Sequence, residues 1–302
     1  MKLMSIRTIV LCLLLLSTQA AHSGEYPDRL IKFIVPFAAG GATDVAGRLV
    51  AEGFKNRLGQ PVLVENKPGA SGALGVDAVA KSKPDGYTLG VSGVGPSAIL
   101  GFIDPSLPYS PTNDLDIIGG INTVAFILCA RDDFPGDTVL QLFILHEELA
   151  RIGGTKMSHI PYRGESPIVN ALLSHDIDIA YISAAIAPEY IKTGKLKALG
   201  AGGPARSPAF PDLPTIAEQT GVSAYSAYVW TALVAPKGLP TELLQKLNTT
   251  LNEVLSDPAI KDKLDHLGLA PLGGDVPTSR AFIAKELTRY ETMIRENQIR
   301  RE

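Results

Sequence analysis

The stretch Ile31-Lys32-Phe33-Ile34-Val35-Pro36-Phe37-Ala38-Ala39-Gly40-Gly41-Ala42-Thr43-Asp44 decides how the chain folds. Ile31, Phe33, Ile34 and Val35 predict a strand buried on both faces, and Pro36 ends it. Gly40 and Gly41 permit positive φ and let a ligand approach the main chain closely. Val45, Leu49 and Val50 then recur at helical spacing, so a helix follows the turn. The first N–H groups of that helix have no internal partner and lie at the positive end of its dipole, aimed at whatever occupies the turn. Such a turn suits a carboxylate or a phosphate. The same pattern also serves as an ordinary tight connection from strand to helix.

Working outward, residues 61–66 read as a second strand, the turn-rich run Lys67 to Gly72 follows, and a helix is predicted over 73–80. A third strand, 87–92, ends in the glycine-rich tip Ser92-Gly93-Val94-Gly95. Strands alternating with helices in this order predict an α/β fold with a parallel sheet. Ligands in such sheets sit at the carboxyl ends of the strands, which puts the Ala39–Thr43 turn and the Ser92 tip on one edge. A loop with Pro105, Pro108 and Pro111 leads to Ile117-Ile118 and a strand over 124–130, with the chain leaving its first domain near Thr123.

A second α/β domain is predicted from a strand over 157–161, a helix over 167–174, a strand over 178–183, a helix over 188–193 and a strand over 196–200. A proline-rich arm, 203–214, a short helix, 215–219, and a strand over 228–234 bring the chain back. Domain one is therefore expected to comprise 24–123 plus 232–302 and domain two 124–231, with two crossings that make a hinge. The tail reads as helices over 241–257 and 278–295 with apolar stripes that pack on domain one, Thr278 serving as the second helix's N-cap.

The 302 residues are 45% hydrophobic, and the mean hydropathy is +0.15, enough for substantial cores. Met1 to Ser23 has a basic start, an apolar run from Ile9 to Leu16 and small residues at Ala20, Ala21 and Ser23, the pattern of a secretory signal peptide. Its removal takes Lys2 and Arg7 and leaves 26 basic against 31 acidic residues, a balance that argues against a nucleic-acid partner. Cys129 is then the one remaining cysteine and is expected as a small buried hydrophobe.

Patterns for catalysis fail one by one. His146-Glu147-Glu148-Leu149-Ala150 lacks the second histidine of the zinc-protease motif, and Ser92 misses the serine-hydrolase elbow by one position. No glycine-rich phosphate loop ends in Gly-Lys-Ser or Gly-Lys-Thr. What remains are main-chain donors and hydroxyls at strand ends: the Ala38–Thr43 turn, Ser92, Tyr162-Arg163-Gly164 and Ser183-Ala184-Ala185. A secreted two-domain chain of this kind reads as a binding protein.

Several runs carry a resemblance. They are Tyr26-Pro27-Asp28-Arg29, Val35 to Asp44, Leu58-Gly59-Gln60-Pro61, Val64 to Ala70, Pro84 to Leu89, His159 to Gly164, Gly194 to Leu199, Arg206 to Thr215 and Val234-Ala235-Pro236-Lys237-Gly238. Together they resemble the periplasmic solute-binding receptors of tripartite tricarboxylate transporters, the Bug receptors, from about Tyr26 to the C-terminus. The resemblance implies a two-domain, type II periplasmic-binding-protein (Venus-flytrap) fold that closes on a small organic acid and hands it to a membrane permease. It implies no cofactor, no metal and no catalysis, and a monomer as the default. In that family the turn grips a ligand carboxyl through backbone amides and bridging waters. The expected lining is Phe37, Ala38, Ala39, Gly40, Gly41, Thr43, Ser92, Gly93, Tyr162 and Ser183, with Asp44 bracing the first helix.

One departure stands out. The resemblance implies, in domain two, a helix, a strand ending in a Ser/Gly/Asn loop and a second helix, and that loop grips the ligand. Here residues 137–144 run straight into Leu145-His146-Glu147-Glu148-Leu149. The expectation is a domain two shortened around 144–145, one fused helix over 138–152 and a missing strand. Losing two hydrogen bonds to a charged ligand weakens binding by roughly 3–6 kcal/mol. The sequence therefore leaves open a working transport receptor, a ligand-loaded regulator of a membrane sensor, or a degenerate receptor with weak or no binding. A hydrolase using Ser92 or Ser183 is the outlying alternative.

Overall fold

The computed structural model describes residues 26–134, 160, 162, 165–207, 209–222, 225–296 and 298–299. The strand expected over 157–161 and the fused helix expected over 138–152 lie outside the described residues, apart from Ile160, as does the signal-peptide region.

Strand β1 (Ile31–Val35), the first element among the described residues, lies between β2 (Val62–Asn66) and β3 (Thr88–Gly93), parallel to both. Helix α1 (Ala42–Leu58) follows the glycine turn and stops at Gly59, whose φ of 71° lets the chain reverse without a Cβ clash. Helix α2 (Ala73–Ala80) covers the other face. This part of the chain follows its sequence pattern closely, because period-2 and period-3.6 runs are separated there by unambiguous Gly/Pro turns.

Next come a short helix, α3 (Leu100–Ile103), and β4 (Leu115–Arg131). Sequence reading splits this region into two segments, yet the structure makes one strand of 17 residues. Its pairing slips between Ile117 and Gly119 and again between Gly120 and Asn122. The Gly119-Gly120 pair thus marks a bend within a strand rather than a break between two.

Helix α4 (Glu165–Leu173), β5 (Ile179–Ser183), α5 (Ala187–Lys192), β6 (Leu196–Ala201) and α6 (Ile216–Thr220) follow, and β7 (Tyr228–Pro236) returns alongside β4. The tail holds α7 (Thr241–Leu255), α8 (Pro258–His266), β8 (Ala270–Gly273) and α9 (Val276–Glu296). Sequence reading misses α8 and β8, although Asp257-Pro258 is a start signal: the Asp257 carboxylate accepts from Ala259 N at 3.0 Å. It also misplaces the start of α9. Asp275 accepts from Thr278 N at 2.8 Å, so the acid rather than Thr278 caps the helix.

Along β4 the neighbours change. Up to Ala125 it pairs antiparallel with β7, and at Gly120–Thr123 with β8; from Phe126 onward it pairs antiparallel with β5 and β6. The overall order is β2-β1-β3-β7-β4-β5, with β6 and β8 also on β4. One core lies between the first strands and α1 and α7, where Phe33, Val50, Phe54, Leu247, Leu251 and Val254 are fully buried. On the opposite face Val76, Val79 and Trp230 pack with Ile283 and Tyr290 of α9. Two smaller cores flank β5 and β6, and Cys129 is fully buried in one of them.

Close packing makes Gly90 a sensitive point, since a Cβ there would lie 2.3 Å from Val79 Cγ2 and 3.3 Å from the Ile34 carbonyl. Gly90→Ala is expected to lower stability by about 1–2 kcal/mol through overpacking. Urea denaturation checks this: the midpoint falls with an unchanged slope.

Candidate functional site

Strand direction brings two groups of loops together. β1, β2 and β3 run parallel, and β4, antiparallel to β7, points the same way. β5 and β6 run against β4, so their carboxyl ends point back toward those of β1–β3. Gly93 at the end of β3 lies opposite Thr231, which lies opposite Asn122, while Ser183 at the end of β5 lies opposite Phe126. Both groups of ends therefore abut the same few residues of β4.

In the first group, Phe37 is half-buried, Ala38 to Ala42 are exposed, and Asp44 is buried. Gly40 has φ 87°, whereas Gly41 is extended at φ −79° and ψ 164°, so only the first of the two needs a glycine conformation. Of the two glycines expected to allow positive φ, the structure uses that freedom at Gly40 alone. Gly41 caps α1 without any side-chain hydrogen bond. Val45 N bonds Gly41 O at 3.0 Å, and the amides of Ala42 and Thr43 have no protein acceptor among the described residues. A helix start of this kind presents N–H groups and a positive field to an anion.

Asp44 holds the turn in this shape. Its carboxylate accepts from Gly40 N at 2.9 Å, Asn66 Nδ2 at 2.7 Å and Arg48 Nε at 2.9 Å. Asn66 Nδ2 also donates to the Phe37 carbonyl at 2.9 Å, and Arg48 donates to Asn66 Oδ1 at 2.9 Å. Burial alone would push the Asp44 carboxyl up, but the hydrogen bonds from Arg48, Asn66 and Gly40 outweigh it and hold it below the ordinary carboxylate range. Arg48 neutralises the acid, so the positive end of α1 is not cancelled by a charge in its own first turn. Sequence reading places Asp44 but gives Arg48 and Asn66 no role. The i, i+4 spacing of Asp44 and Arg48 is visible in the sequence; the contact with Asn66 needs β2 beside β1.

A second loop of this edge is Gly69 to Gly72, which sequence reading marks only as a turn. Its four residues all have positive φ: 133° at Gly69, 47° at Ala70, 53° at Ser71 and 95° at Gly72. Consecutive left-handed residues without glycine are costly and occur where the backbone is shaped for a purpose. A Cβ on Gly72 would lie 3.2 Å from Phe37 and 3.4 Å from Pro96, so the loops after β1, β2 and β3 meet there. The tip after β3 is turned differently from the expectation. Ser92 is 2% exposed, and its Oγ lies 2.6 Å from Ser97 Oγ, so its hydroxyl is committed inside the fold. Gly93 is packed so that a Cβ would meet the Trp230 carbonyl at 2.6 Å.

In the second group, Ser183 is buried and half-buried Tyr162 lies in the chain before α4; Arg163 and Gly164 lie outside the described residues. Ser183 donates twice to Glu165, from its amide to Oε1 and from Oγ to Oε2 at 3.1 Å. Burial first, and then the negative charge of Glu165, push the Cys129 thiol up to about 12, so it stays protonated.

Two other features are found, and the first adjoins the start of α1 at Val45. A shallow cavity of about 440 Å³ between α1 and α8 is lined by Val45, Leu49, Asp262, Lys263, His266 and Leu267 and is largely apolar. Asp132, Asp133 and His175 gather at the far end of β4. The two ring nitrogens of His175 face different carboxylates, at 3.1 and 3.7 Å, Arg131 pairs with Asp133, and all three residues of the group are exposed. Among the described residues no helix is long and apolar enough to cross a membrane.

The family model for the tripartite tricarboxylate transporter family receptor matches residues 46–146 and 140–299. The chain is 34% identical to the protein BugT of Bordetella pertussis over 296 residues, 90% of each chain. The solved structure of the periplasmic binding protein BugD is 29% identical with a TM-score of 0.74, over 92% of this chain and all of that one. MatC from Rhodopseudomonas palustris with bound malate is 28% identical with a TM-score of 0.72, over 89% of this chain and all of that one. With its α/β fold and its exposed, uncapped turn after the first strand, the chain belongs to the receptor family of the tripartite tricarboxylate transporters, a family of solute-binding proteins.

Proposed function

We propose that the chain is exported by its first 23 residues and works in the periplasm as a monomeric receptor that delivers a small organic carboxylate to a membrane permease. The ligand lies between a first domain of residues 24–123 plus 232–302 and a second of 124–231. The observation that carries this reading is the turn Phe37–Thr43, exposed from Ala38 to Ala42, with its open amides at the start of α1 and its shape held by the buried Asp44. Phe37, Ala38, Ala39, Gly40, Gly41 and Thr43 receive one carboxylate. Ser92 and Gly93 contribute backbone to the wall, and Tyr162 and Ser183 face it from the second domain.

The test is thermal unfolding of the chain from Gly24 against a panel of small carboxylates. A ligand that binds only the native state at 100 times its Kd adds about 2.7 kcal/mol of apparent stability. An upward shift with one class of acid is the expected result. A sharp transition that no carboxylate moves would overturn the reading, and a broad one would mark a receptor disabled by its shortened second domain.

A further inference from the structure

On this reading of the cleft, the end of β5 offers a ligand two donors, the amide and hydroxyl of Ser183. Neither is available. Both point at the carboxylate of Glu165, one oxygen each, an arrangement that a ligand carboxylate would otherwise occupy. Ser183 is only 7% exposed, so water does not compete well for those donors, and Glu165 is itself half-buried. The geometry that holds Glu165 is local: it opens α4, and β5 lies directly after the α4 turn, so helix start and strand end are neighbours by topology.

A carboxylate held by two donors keeps unused lone pairs and its negative charge. On this reading the two sides of the cleft differ in sign. The α1 turn presents amides and a positive field; the β5 end presents a resident anion. A dicarboxylate spanning them would set its second carboxylate against Glu165 without its Ser183 donors, with like charges meeting in a partly desolvated place. A ligand with one carboxylate and a hydrogen-bond donor at the other end fits both.

We propose that Glu165 is a specificity-determining residue that occupies the Ser183 donors and selects carboxylates bearing an ammonium or hydroxyl group at their far end over dicarboxylates of the same length. The proposal rests on the carboxylate reading of the α1 turn.

The test uses the chain from Gly24, as wild type, Glu165→Gln and Glu165→Ala, titrated calorimetrically with two probe series. One series is the ω-amino carboxylates with two to four methylenes between the groups, and the other the dicarboxylates with the same spacers. Wild type is expected to bind the better amino acid at least tenfold more tightly than its matched dicarboxylate. Glu165→Gln, which keeps the shape and removes the charge, should narrow that ratio to within about threefold, and Glu165→Ala should reverse it. A dicarboxylate preferred by wild type, or a ratio that neither variant moves while only stability falls, overturns the proposal and leaves Glu165 a brace for the β5 end. The underlying reading fails separately: no acid of either series binds any of the three folded proteins, or binding survives unchanged in Gly40→Val, and the proposal falls with it.

Discussion

Asp44→Ala is expected to lower stability by about 2–4 kcal/mol, because a buried carboxylate that accepts from the Gly40 amide and from Asn66 is removed and those donors lose their partner. The Arg48 pair adds little to that figure, since the guanidinium is half exposed and its ion pair is screened. The midpoint of thermal unfolding should fall by roughly 5–10 °C. The change should also depend on pH in a stated direction. The folded-state carboxyl lies below its ordinary value, so the unfolded chain takes up this proton first as pH falls. The contribution of Asp44 is fully present above about pH 4 and is lost as pH falls through the lower folded value. Urea titrations of wild type and variant between pH 7 and pH 3 check this. The gap between the two should shrink at the acid end; a gap that widens there would contradict the arrangement described for Asp44.

Gly40→Val is expected to weaken carboxylate binding at least about tenfold, with a smaller loss of stability of about 1–2 kcal/mol. The reason is conformation rather than space: Gly40 has φ 87°, a region closed to β-branched residues, while nothing lies within 4 Å of a Cβ placed there. Valine would relax toward negative φ, and the peptide planes that aim the turn's amides would rotate with it. Gly41→Val is the contrasting variant. Gly41 is already extended, and its Cβ would lie 3.8 Å from the Ala38 carbonyl, so the backbone has no need to move. Calorimetric titration of both variants with the carboxylate found by the thermal panel separates a backbone site from simple obstruction. Equal affinity in Gly40→Val and wild type would remove the turn from the site.

The first strand, the turn and α1 were legible because each is a local pattern: an apolar run, a Pro stop, paired glycines and a helical stripe. α2, α4, β5, α5 and β6 were legible for the same reason, within a residue or two. β4 was misread because a Gly-Gly pair looks like a break, and only its pairing with β7 shows that the strand passes through. α8 and β8 were missed because nine polar-rich residues and four edge residues carry weak periodicity of their own and are fixed by docking on α1 and β4.

The candidate site divides the same way. By itself the sequence determined an α/β chain with a backbone turn suited to an anion, an acid in the first helical turn and a family whose marks run along most of the chain. The tertiary structure decided which of those groups are free to act. It turned Ser92 inward onto Ser97, joined Asn66 and Arg48 to Asp44, and placed the carboxylate of Glu165 on Ser183. Hydrogen-bond donors are spent on whichever acceptor lies nearest in space, and that distance between residues far apart along the chain is set by strand pairing and helix docking rather than by sequence spacing.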